Sequence, residues 1–239
     1  MRLVTMPIYR FLHKFALVSL MLLMSCTLPV CASEESDTIP WKHRQVGINM
    51  IYLSTTTPNI VFEMGISPRV SISLLVGYNA IKFSSHHNKD GEIINPKLMH
   101  FAVMPEVKYW TDSITRRNYW GVHLLYGHYN VGGISLGINS MLAMPFIFSQ
   151  YSAGLGNFLS TSIRDNRYNG WCIGGGICWG HRFYPSKRIR LDVSIGMGYV
   201  YFNYNKHKAY HCGDYLGHET YHYVGPTQIS FTISYLLKK

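Results

Sequence analysis

The sequence predicts an all-β fold: an antiparallel, up-and-down transmembrane β-barrel of about eight strands. Three observations carry this. Apolar and polar residues alternate through most of the chain after residue 45, the period of strands. Charged residues make up only 14% of the chain, with 18 tyrosines beside them; that is about half the usual charged share. Beyond the N-terminus, no stretch reaches the ~20 apolar residues that a spanning helix needs.

The chain opens with a targeting pattern. Arg2, Arg10 and Lys14 form a basic region, residues 15–24 (FALVSLMLLM) an apolar core, and Val30-Cys31-Ala32 a small-residue cleavage site. Leu23-Met24-Ser25-Cys26 also resembles a lipobox, which would lipidate Cys26 instead. The division that follows is a signal peptide over residues 1–32, a polar lead-in over 33–45 and an outer-membrane barrel over 46–239. The net charge of +10 becomes +7 once the three leader bases are removed, 19 basic against 12 acidic residues. The remaining bases fall largely in turns, such as Arg69, Arg116, Arg117, Lys187 and Arg188. Such charge is solvated, and no groove-reading motif accompanies it, so no nucleic-acid partner is expected.

The strands follow in order. The first, near residues 47–54, is the least regular. Ile60, Phe62, Met64 and Ile66 then oppose Asn59, Glu63 and Gly65. Ile72, Leu74, Val76 and Tyr78 oppose Ser71, Ser73, Gly77 and Asn79. Phe101, Val103, Val107 and Tyr109 oppose His100, Glu106 and Lys108. Trp120, Val122, Leu124 and Tyr126 oppose Gly121, His123 and Gly127. In the sixth strand Trp171, Ile173, Ile177, Trp179 and Phe183 face away from Gly170, Cys172, Gly174, Gly176, Cys178 and Gly180. The seventh sets Ile189 to Tyr201 at odd positions against Arg190, Asp192, Ser194, Gly196 and Gly198. The last sets Ile229, Phe231, Ile233 and Tyr235 against Gln228, Ser230, Thr232 and Ser234.

The apolar faces end in tyrosine and tryptophan, as a lipid-facing girdle does; the polar faces are therefore assigned to the lumen. Glu63, Glu106, Lys108, Arg190 and Asp192 are predicted to form a lumenal polar network that plugs the barrel, with Glu106 and Arg190 as one pair and Arg182 as a further base. Buried charges survive only when paired. Connections alternate between short (67–69, 185–188), moderate (111–118) and long (81–97, 131–168, 203–223), with a short first outer connection at 55–59. Short periplasmic turns and long outer loops are the bacterial arrangement. Cys172 and Cys178 lie about 20 Å apart at strand rise, too far to pair, and read as small inward fillers.

Several runs resemble a family of outer-membrane barrel proteins from Gram-negative anaerobes known only as a domain of unknown function. They are TPNIVFEMGISPRVSISLLVGYN, MPEVKYW, GVHLLYGHYNVGG, RYNGWCIGGGICWGHRF and YVGPTQISFTISYLLK, and the similarity covers roughly residues 45–237. The resemblance implies fold and location and supplies no catalytic residue. The family often carries a cysteine pair before GPT; His211-Cys212-Gly213 keeps one of them.

No cofactor is expected. His207, His211, His218 and His222 with Cys212 read as one histidine-rich loop without a standard metal spacing; His86-His87 is a weaker cluster. Ser85, His86 and Asp90 are the candidates for chemistry at the barrel rim, but no motif arranges them. The expected role is non-enzymatic: a structural or surface-binding barrel with long loops, linked to surface appendage or adhesin assembly. The alternative is an enzyme acting on lipid or envelope substrates at the rim. Expected partners are outer-membrane lipid and lipopolysaccharide, the outer-membrane assembly machinery and a surface protein that meets the loops. The apolar run over residues 141–156 (MLAMPFIFSQYSAGLG) stands out among those loops.

Overall fold

The computed structural model of the chain describes residues 43–54, 56–87, 91–111, 118–134, 165–210 and 212–237. The leader, most of the lead-in, the run over 141–156, Asp90 and His211 lie outside them. Among the described residues, ten strands and one short helix follow in order: β1 (Arg44–Asn49), α1 (Met50–Ser54), β2 (Asn59–Ser67), β3 (Val70–Lys82), β4 (His86–His87), β5 (Ile93–Ile94), β6 (Lys97–Trp110), β7 (Asn118–Gly132), β8 (Asn166–Phe183), β9 (Ile189–Lys208) and β10 (Tyr215–Leu237). Eight of them close into one antiparallel barrel in the ring order β1-β10-β9-β8-β7-β6-β3-β2, while β4 and β5 form a separate hairpin. Neighbours in the ring are neighbours in sequence apart from that hairpin, so the topology is up-and-down.

The register fixes the strand tilt. Starting at Gly47, paired residues run through Val61, Leu75 and Met104; the β6–β7 register set by Val103–Tyr126 and Glu106–His123 carries the row to Leu125, and pairs continue through Gly174 and Val200 to Tyr223. On its other side Gly47 pairs with Ser234. The row returns well above its start along β10, the stagger that an eight-stranded barrel needs to close at a tilt of about 35–45°. One extra residue, Thr227, is absorbed at a register shift between Pro226 and Gln228. The start of β1, the end of β10 and the turns β2–β3, β6–β7 and β8–β9 gather at one end, here the turn end. The opposite, loop end carries the connections β1–β2, β3–β6, β7–β8 and β9–β10.

Alternation sorts the side chains as the pattern predicts. Ile177 (61% exposed) and Leu124 (63%) face outward, and Arg182 on the other parity is fully buried. Inward glycines make room for large neighbours. A Cβ on Gly180 would lie 2.2 Å from the Tyr119 ring, and one on Gly121 2.6 Å from a Glu106 carboxylate oxygen.

Two predicted boundaries are corrected. The first strand was expected near residues 47–54, but β1 starts at Arg44, inside the expected lead-in, and stops at Asn49. Asn49 Oδ1 accepts the Ile51 amide at 3.0 Å, capping α1. Asn59 bonds the Asn49 amide (2.7 Å) and carbonyl (2.9 Å), a side-chain amide standing in for a strand neighbour. The helix turns Tyr52 into the lumen, where it is buried. The second correction concerns residues 203–223, expected as one long loop. There β9 runs to Lys208 and β10 begins at Tyr215. This ribbon holds through cross-strand pairs: Tyr199 Oη with His222 Nδ1 (2.5 Å), Asn203 with His218 (3.2 Å), Tyr204 Oη to Glu219 (3.1 Å) and Lys206 with Glu219 (3.7 Å). Residues 218–222 are exposed whichever way they point, so no period-two signal marks them.

Candidate functional site

The inward faces divide the lumen into two zones. At the turn end the rows are charged. Glu63 lies in the row of Ser73, Glu106 and His123, Lys108 in the row of Gly121 and Cys178, Arg182 beside Asp192, and Arg190 beside Ser234. All five predicted residues are buried, and so is Arg182.

Arg182 is the hub. Its Nε reaches Asp192 Oδ1 at 2.5 Å, and Nη2 reaches Asp192 Oδ2 at 2.9 Å and Glu63 Oε2 at 2.8 Å. Lys108 Nζ bonds the same Glu63 oxygen at 2.8 Å. Such charge-assisted bonds, two of them forked onto one carboxylate, are the strongest available to side chains. Two aromatic rings flank the cations: Arg182 lies 4.3 Å from the Trp110 ring centroid and Lys108 4.8 Å from that of Tyr119. Trp110 in turn donates to Ser71 Oγ at 3.0 Å. His43 Nε2 stands 3.6 Å from Glu63.

The predicted pair Glu106–Arg190 does not form. Glu106 accepts from Ser73 Oγ (3.1 Å) and the Cys178 thiol (3.0 Å), with Lys108 at 3.9 Å. Arg190 donates from Nη1 to Gln45 Oε1 at 2.9 Å. The reason is the stagger. Glu106 and Arg190 occupy different rows on strands across the ring, and neither side chain reaches the other. Arg182, Trp110 and Tyr119 are the participants that charge counting underrates. Their signal was parity: Arg182 shares the face of Cys178 and Gly180, and Trp110 that of Lys108.

Toward the loop end the same parity becomes apolar. Tyr52 from α1 packs with Val61, Leu75, Ala102, Met104, Leu125, Cys172, Val200, Phe202 and Tyr223. A polar layer separates the zones: His123 Nε2 with Thr227 Oγ1 (2.9 Å), and Ser194 Oγ with Ser230 Oγ (2.6 Å) and Gln228 Nε2 (3.1 Å). Cys172 and Cys178 are both buried free thiols.

The expected histidine loop is not one loop. His207 lies on β9, and His218 and His222 on β10. Among the described residues no three His, Cys, Asp or Glu side chains converge as metal ligands. At the rim Ser85 Oγ bonds Asn95 at 2.5 Å, while His86 lies in the β4–β5 hairpin opposite Ile94. The inward side chains of both zones are buried. Glu63, Lys108, Arg182 and Asp192 are committed to one another, Glu106 is held by Ser73 and Cys178, and Arg190 bonds only the neutral amide of Gln45.

No curated protein matches the sequence. The chain belongs to the family described as protein of unknown function (DUF3575), whose model matches residues 18–237.

Proposed function

We propose that the protein is an integral, non-enzymatic outer-membrane barrel of a Gram-negative cell, exported by its N-terminal signal. In this reading it is a closed scaffold that presents its loop end at the surface to a protein partner, in a structural or surface-binding role. One observation carries the membrane reading: a closed barrel whose outward residues form a continuous apolar belt. Ile60, Phe62, Ile72, Leu74, Val122, Leu124, Ile173, Ile177, Ile195 and Met197 are all exposed. Soluble monomers rarely expose contiguous apolar patches beyond a few hundred Å². The belt is bracketed by Tyr109 and Phe101 on β6 and by Trp179 and Trp171 on β8. At ~3.4 Å per residue and a tilt of about 40°, either pair spans about 20 Å of the barrel axis, close to the ~25 Å apolar band of outer-membrane barrels.

The loop end supports the surface role. A tilted strand crosses the bilayer in ~9–11 residues; β8, β9 and β10 have 18, 20 and 23. The surplus stands beyond the belt on one side of the ring. There β1 lines β10 only up to the pair Asn49–Thr232, so a long stretch of β10 has a strand neighbour on one side among the described residues. Such an edge accepts an added strand from a partner, the kind of contact that appendage or adhesin assembly uses.

Fractionation tests the reading. The protein should stay in the membrane pellet through high salt and carbonate, and it should show heat-modifiable mobility on gels. Proteolysis of intact cells should cut between β9 and β10 and spare the β2–β3 and β8–β9 turns. Release by carbonate alone would replace the membrane reading with a soluble barrel. Cleavage at the short turns would reverse its orientation.

A further inference from the structure

Past the apolar belt, at the loop end, the register lines up bases on adjacent strands. Lys82 on β3 pairs with Lys97 on β6, Lys97 with Gly132 on β7, and Gly132 with Arg167 on β8. Directly opposed residues share a face of the sheet. The same face carries the row Tyr78–Phe101–His128–Trp171, four residues nearer the belt on every strand, and its Tyr78, Phe101 and Trp171 are exposed. Four residues at ~3.4 Å each and the barrel's tilt amount to about 10 Å along the axis. Midway lies the row Ala80–Met99–Asn130–Asn169, already polar on β7 and β8. Apolar belt, aromatic row, amides and then cations follow the order of a membrane leaflet, from its hydrocarbon to its charged headgroups.

These bases have no anion of their own. Lysine directly opposite lysine is an unfavourable cross-strand pair. Among the described residues neither ammonium makes an ion pair, and Arg167 Nη2 bonds only the neutral carbonyls of Asn95 (3.1 Å) and Ala209 (3.4 Å). Glu219 on β10 is engaged by Lys206 and Tyr204. An anion set against the row would relieve the repulsion between its members. From β3 to β8 is three strand spacings, about 14 Å, a span that suits a headgroup with more than one phosphate.

We infer that Lys82, Lys97 and Arg167 form a receptor for the phosphate groups of lipopolysaccharide in the leaflet around the loop end. The inference rests on the membrane reading and on its loop-end-outward orientation, and it names the lipid and the residues that hold it.

Binding of purified lipopolysaccharide to the full chain, extracted from membranes in a non-ionic detergent, tests it. Lys82→Gln and Lys97→Gln should each weaken binding about fivefold, and together about twenty-five-fold. Arg69→Gln, in the β2–β3 turn, should leave it unchanged. Lipopolysaccharide stripped of its phosphates should bind the unaltered protein as weakly as the intact lipid binds the double variant; this arm decides even where a variant does not fold. A double variant that binds like the unaltered protein overturns the receptor, as does undiminished binding of the stripped lipid. Phosphatidylglycerol or inorganic phosphate competing as well as lipopolysaccharide would assign the row to anions in general and overturn it equally. Failure of the membrane reading shows separately, as release of the protein by carbonate. A protein that resists carbonate yet binds the lipid without regard to Lys82 and Lys97 overturns the receptor alone.

Discussion

The two zones of the lumen are built on the same strands with the same parity, yet they fill the interior by opposite means. At the turn end, Glu63, Lys108, Arg182 and Asp192 fill the space with ions whose geometry is fixed by direct bonds. Toward the loop end, Leu75, Met104, Leu125, Val200 and Phe202 fill it with apolar volume sealed by Tyr52. The difference teaches that a narrow barrel needs its interior filled rather than uniformly polar. The two fillings fail differently when disturbed. An ion network is sensitive to the identity of each partner, because removing one strands another; an apolar filling is sensitive to volume.

The sharpest way to break this comparison is to remove the hub. Arg182→Met should cost about 3–5 kcal/mol by leaving Glu63 and Asp192 uncompensated. Adding Asp192→Leu should recover part of that loss. Chemical unfolding of the refolded protein measures both, and a double variant worse than the sum of the singles would deny the pairing. In the apolar zone, Leu125→Ala should cost about 2–4 kcal/mol, and a similar cost is expected for the isolated Leu75→Ala. A loss that depended on ionic strength would contradict the apolar description.

Two smaller effects sharpen the comparison. Gly180→Ala places a methyl against the Tyr119 ring, overpacking the boundary of the ion zone by about 1–3 kcal/mol. Adding Tyr119→Leu should relieve most of it, and a loss unaltered by that change would point to backbone strain instead. The smallest effect belongs to Glu106→Gln. Its bonds to Ser73 and Cys178 are neutral partners, and the Lys108 ion pair is long, so the loss should stay near ~1 kcal/mol. Combined with Arg190→Gln, it should be additive, because those side chains do not meet. Measurable coupling between them would restore the pairing that simple charge matching suggests.

Strand number, ring order and the inward or outward sense of each strand were legible because alternation has a period of two, and every strand with one apolar face reports it. Residues 171–183 and 189–201 reported it most clearly. Legibility ended where that rule stops applying. Over residues 218–222 both faces are exposed, so this part of the β9–β10 ribbon shows no period of two and reads as loop. Over residues 47–54 the apolar run continues while Asn49 caps a helix, so a strand is expected where α1 stands. The charged residues of the lumen were legible singly, as the polar members of their faces.

The sequence by itself determined which side chains point inward, because that depends only on neighbours along one strand. Which of them touch was decided by the tertiary structure. Closing eight tilted strands staggers the ring, so that Gly47 meets Ser234 on one side while its row arrives at Tyr223 on the other. That offset sets Arg182 between Asp192 and Glu63 and keeps Glu106 from Arg190. No single strand carries the offset; it exists only once the first and last strands pair.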